Sequence, residues 1–108
     1  MNEHQLKQLL TEVKFELQKL YGDRLVTVVL YGSYARGNAG SQSDVDIVMV
    51  LKDYDRDFIE IDRTSELVAQ LSLTYDTIIS LIPIREKDWR EKQSSFLRNV
   101  RQDGVMIK

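Results

Sequence analysis

Residues 31–51 read YGSYARGNAGSQSDVDIVMVL, and the fold turns on what this stretch joins. Tyr31 closes an apolar, β-branched run, Leu25–Tyr31 (LVTVVLY), and Val45–Leu51 (VDIVMVL) forms a second one. Runs of this kind read as strands buried on both faces. Between them lies a polar, glycine-bearing loop, Gly32 to Ser43. Asp44 and Asp46 stand where that loop enters the second strand. Side chains alternate along a strand, so the two carboxylates share a face. Like charges held side by side repel and raise each other's proton affinity. A divalent cation between them removes that cost. Oxygen-only ligands suit a hard ion such as magnesium, which keeps several waters and takes further ligands from substrate phosphates.

The other end of the loop supplies complementary chemistry. Gly32-Ser33 directly follows a buried strand and opens a short helix. Glycine allows close backbone approach, and the amides and serine hydroxyl there suit phosphate oxygens. Arg36, one turn on, reaches either a phosphate or a carboxylate. A phosphate grip on one strand end and a metal pair on the next strand are the two parts that nucleotidyl transfer needs.

Outward from this centre, Leu6, Leu9, Leu10, Val13, Leu17 and Leu20 recur at helical spacing, and Gly22-Asp23 ends that helix. Phe58, Ile61, Leu67, Val68 and Leu71 mark a second helix. A third strand is expected over Thr74–Ile84 (TYDTIISLIPI), with Pro83 near its end or on an edge. Glu86–Gln102 reads as one helix with Trp89, Phe96, Leu97 and Val100 on one side, and residues 105–107 as a short last strand. Strands separated by helices predict an α/β (α+β) fold, a small sheet layered with helices. The 108 residues suit a single domain, 1–108.

Composition narrows the function. At 43% hydrophobic the chain is too apolar for disorder, and no apolar run is long enough to span a membrane. With no cysteine, thiolate zinc sites and thiol catalysis are excluded. A net charge of −2 argues against extended nucleic-acid contact, which is driven by basic surplus. The first residues, Met1-Asn2-Glu3-His4-Gln5, lack the basic and apolar regions of a signal peptide, so a cytoplasmic location is expected.

Gly32-Ser33, ten residues, then Asp44-Val45-Asp46 resembles the signature of the DNA polymerase β-like nucleotidyltransferase superfamily. The fuller string GSYARGNAGSQSDVDIVMVL is similar to the minimal nucleotidyltransferase (MNT) group. The resemblance implies a mixed sheet flanked by helices, two magnesium ions and ATP as substrate. It implies a third metal-site carboxylate on a following strand, for which Asp76 is the best match, ahead of Asp57 and Asp62. About 60 residues follow the motif, so the acceptor is expected on an open face or on a partner. Small members of the group resemble the antitoxin of a pair whose other half is a HEPN ribonuclease toxin. That implies AMP transfer to a toxin tyrosine within a hetero-oligomer. Two other classes stand beside this one: a catalytically idle binding module, and an enzyme with a small-molecule acceptor.

Overall fold

The computed structural model describes residues 1–107. Four strands form one sheet in the order β3-β2-β1-β4. They are β1 (Leu25–Tyr31), β2 (Val45–Leu51), β3 (Ile79–Arg85) and β4 (Val105–Met106). β1 runs antiparallel to both β2 and β4, while β2 and β3 are parallel, so the sheet is mixed as expected.

Helix α1 (Glu3–Tyr21) starts at Asn2, whose carboxamide accepts from the Gln5 amide while Gln5 reaches back to the Asn2 amide. This reciprocal cap fixes the first turn. Leu9, Val13 and Leu17 are buried as their spacing predicts, but Leu20 is exposed and Tyr21 takes the inward place. Helix α3 (Asp57–Thr74) follows its apolar pattern at Leu67, Val68 and Leu71 but departs from it in the first turns. Phe58 and Ile61 face out, while Glu60 and Thr64 are buried. The polar pair is tolerated because it is satisfied: Tyr21 Oη donates to Glu60 Oε1 at 2.8 Å, and Thr64 Oγ1 donates to Glu60 O at 3.1 Å.

The expected third strand starts five residues late, because α3 runs on to Thr74. The Thr77 amide then donates to Ser72 O, and the Asp76 amide to Leu73 O. Asp76 between them has φ +50°. This is a Schellman closure with Asp76 at its left-handed position. Asp76 therefore terminates a helix and does not stand within a β segment, which corrects its expected placement. Pro83 is tolerated mid-strand because β3 is an edge.

The expected last helix is also two helices, α4 (Glu86–Glu91) and α5 (Ser95–Asp103). Ser94 caps α5 by accepting from the Leu97 amide at 3.2 Å. Arg101 ties the break shut by donating to Trp89 O and Lys92 O, both at 2.6 Å.

The two sheet faces are unequal. α1 and α3 cover the larger core, which takes Val28 and Leu30 from β1, and Val45, Ile47, Met49 and Leu51 from β2. The opposite face carries a small cluster of Val29, Val48, Val50 and Val100, with Tyr31, Ile84 and Trp89 against it. Alternation along β2 puts Asp46 on this second face, in line with Val48 and Val50.

Candidate active site

Helix α2 (Ser33–Arg36) is a single turn, entered through Gly32. Gly32 has φ 76° and ψ −158°, a region essentially reserved for glycine. The reason lies across the ladder. A Cβ at Gly32 would overlap Asp46 Oδ2 and stand 3.2 Å from its Cγ. The missing side chain is therefore the seat of the Asp46 carboxylate. Sequence reasoning assigned this glycine to close approach of a ligand, and the structure adds close approach of the aspartate.

The loop back to β2 is closed locally. The Asn38 amide donates to Ser33 O at 3.1 Å, and the Gly40 amide donates to Ser43 Oγ at 2.8 Å. The Val45 amide then donates to Ile78 O at 2.8 Å, which sets Asp44 opposite the start of β3. Asp44 is exposed and Asp46 is half-buried. Burial first, and then the neighbouring Asp44 charge, push the Asp46 pKa above the usual carboxylate range, while the Arg36 guanidinium opposes them. Arg36 lines a groove with Gly32 and Tyr31.

Asp76 does not complete a three-acid centre. Among the described residues, no three carboxylate or imidazole groups converge closely enough to hold an ion. Asp76 shares only a groove of about 360 Å³ with Asp44, together with Ser43, Leu73, Thr77 and Ile78. Asp57 lies at the far end of β2, and Asp62 is exposed on α3.

Two neighbours of Asp46 were not legible in the sequence. Register places Tyr31 beside it on β1 and Ser80 beside it on β3. Phe96 of α5 meets the Tyr31 ring edge-on, with centroids 5.4 Å apart. A second groove of about 220 Å³ opens on the β1 side, lined by Tyr31, Gly32, Arg36, Phe96, Asn99 and, at its α5 end, Asp103. A larger groove, about 590 Å³, runs between α1 and α3 on the other face, away from both aspartates.

Two carboxylates, Asp46 on β2 and Asp44 just before the strand begins, fit a hard divalent cation. The turn beside them carries a hydroxyl and a guanidinium suited to phosphate. The sequence profile of the nucleotidyltransferase domain matches residues 6–103. The chain belongs to the nucleotidyltransferase domain family.

Two proteins of Methanocaldococcus jannaschii assigned as protein adenylyltransferases are relatives of this nucleotidyltransferase. One is 32% identical over 93% of this chain and 96% of its own length. The other is 35% identical over 84% of this chain and 86% of its own length. Among solved structures, a nucleotidyltransferase of Sulfolobus solfataricus superposes with a TM-score of 0.63 at 24% identity, covering 96% of this chain and 82% of that one. A toxin-antitoxin structure with AMP-PNP superposes with a TM-score of 0.63 at 20% identity, over 100% of this chain and 73% of that one. A Shewanella oneidensis complex of tri-AMPylated HEPN toxin with MNT antitoxin gives 0.58 at 20% identity, over 94% of this chain and 71% of that one. These likenesses share the fold that was expected. Among the described residues of this nucleotidyltransferase, no helix is long and apolar enough to cross a membrane.

Proposed function

We propose that this nucleotidyltransferase moves AMP from ATP onto a protein hydroxyl, a tyrosine of a HEPN ribonuclease toxin, and so acts as the antitoxin of that pair. The observation that carries the reading is the seat of Asp46 against Gly32. It joins the carboxylate pair and the glycine-serine turn into one site. The relatives assigned as protein adenylyltransferases support a protein acceptor, and the HEPN–MNT complex supports this partner class.

Asp44 and Asp46 hold magnesium, which when bound would offset the charge of the phosphates and of the departing pyrophosphate. The Ser33 hydroxyl, the Gly32-Ser33 backbone and Arg36 hold phosphate oxygens. The Tyr31–Phe96 groove on the β1 side receives the nucleoside. The Asp44–Asp76 groove on the β3 side admits the acceptor, with exposed Leu73 and Ile78 flanking it. The two grooves lie on different sides of the Gly32–Asp46 contact, so the nucleoside and the acceptor need not compete for one space. The acceptor oxygen bonds to the α-phosphorus and the α–β bridging bond breaks. Pyrophosphate leaves, and the acceptor's proton passes to solvent.

The test is incubation with labelled ATP, magnesium and the HEPN toxin proposed as partner. Label on a toxin tyrosine is expected, and none with Asp44→Asn or Asp46→Asn, both still folded by circular dichroism. Transfer by either variant, or nucleotide binding with no label on the toxin, refutes the reading.

A further inference from the structure

The sheet row that carries Asp46 reads Tyr31, Asp46, Ser80 from β1 to β3. Register partners project from the same face of a sheet. Ile79 and Leu81 point into the α1–α3 core. Alternation therefore leaves Ser80 as the β3 side chain that meets Asp46 across the ladder. Ser80 and Tyr31 thus flank Asp46 from the two neighbouring strands. The nearest acid on this connection, Asp76, comes four residues earlier and is committed to the helix-ending turn.

This end of the sheet thus offers two carboxylates and, on β3, a neutral hydroxyl. Octahedral magnesium needs six oxygens, and two carboxylates with triphosphate oxygens and waters complete one such shell. A second ion about 3.5–4 Å away would share those same carboxylates and find no acid of its own. A hydroxyl is a poor substitute, because it brings no charge against the repulsion between two dications.

We propose that this site binds its nucleotide with one divalent ion, and that Ser80 sets that number. The proposal rests on the nucleotidyl-transfer reading and goes beyond it. The Ser80 position is where a carboxylate would recruit a second ion, and the serine, in register with Asp46, leaves that place empty of charge. Transfer then proceeds without a second ion on the acceptor oxygen, so an acidic replacement at residue 80 changes the metal count itself.

The count is measurable without turnover. Mn²⁺ is titrated into a non-hydrolysable ATP analogue mixed with excess protein, so that the analogue is protein-bound, and free Mn²⁺ is followed by electron paramagnetic resonance. Wild type is expected to bind one ion tightly per nucleotide complex. Ser80→Ala keeps one, Asp76→Asn keeps one, and Ser80→Asp gains a second. Two tight ions in wild type overturn the proposal while leaving the transfer reading intact. Loss of the ion in Asp76→Asn overturns it as well, by making Asp76 a ligand. A folded Ser80→Asp protein that still binds one ion removes Ser80 as the determinant. If Ser80→Asp fails to fold, the wild-type count and the Asp76→Asn count still decide. A wild type that binds no analogue at all sinks both this proposal and the reading under it.

Discussion

Replacing Gly32 by alanine separates two costs that the structure places at one atom. The first is backbone strain. At φ 76° and ψ −158° an L-residue sits in a region essentially reserved for glycine, at a cost of about 1–3 kcal/mol. The second is collision, since the new methyl would overlap the Asp46 carboxylate. Asp46 can relieve the overlap only by leaving its rotamer or its place, for roughly 0.5–1.5 kcal/mol more. The sum is about 2–4 kcal/mol, enough to lower the melting temperature of a domain this size by about 10 °C or more. Gly37→Ala is the control. Gly37 is also left-handed, at φ 77° and ψ 17°, but a Cβ there meets nothing within 4 Å. It should cost only about 1 kcal/mol and leave nucleotide binding intact. Both variants are compared by calorimetry and by magnesium-dependent binding of an ATP analogue, with Trp89 fluorescence as the folding signal. Equal destabilisation by the two, or wild-type nucleotide affinity in Gly32→Ala, would refute the reasoning.

Asp46→Asn should abolish magnesium-dependent transfer, yet raise the melting temperature of the metal-free protein, because it removes a carboxylate disfavoured first by burial and then by the Asp44 charge. A drop in metal-free stability would argue that the crowding is not felt. Asp76→Gly should be neutral to stabilising by up to about 1 kcal/mol in urea unfolding, since glycine suits the left-handed closing position. Tyr21→Phe should cost about 1–2 kcal/mol at pH 7, because the buried Glu60 carboxylate loses its phenolic donor. Burial and Glu60 hold the Tyr21 pKa well above its ordinary 10 in the folded state. The stabilisation is therefore complete below about pH 10 and is lost as the unfolded chain ionises above it. Tyr21→Phe should show a shallower fall in stability above pH 10, and an unchanged slope would count against that account.

Much of the site was legible because it is local. Gly32, Ser33, Asp44 and Asp46 lie within fifteen residues, and strand alternation alone aligns the aspartates. The rest depended on pairing between distant segments. Ser80 carries no signal until β3 is registered against β2, and Phe96 none until α5 folds over β1. Thr74 to Thr77 misled because Thr, Tyr and Thr favour strands, while the helix-closing turn rests on backbone bonds that leave no periodic trace. The interruption between α4 and α5 was in principle readable from Ser94, a capping residue three before Leu97, but the apolar spacing ran through it. Phe58 and Ile61 were misplaced because a satisfied Glu60 outcompeted them for the interior.

The unequal filling of the two sheet faces has a consequence for how this protein loses its activity. The face beneath Asp46 is held by Val29, Val48, Val50 and Val100, while the α1–α3 face holds the bulk of the core. Cooperative units with little buried surface open first. Amide exchange should therefore release α5 before the strands, at denaturant concentrations where the helical content of α1 and α3 is still intact. Phe96 leaves Tyr31 in that opening, and the groove proposed for the nucleoside loses a wall. Inactivation and unfolding would then be separate events, with the catalytic face surrendering first and the scaffold remaining to let it re-form.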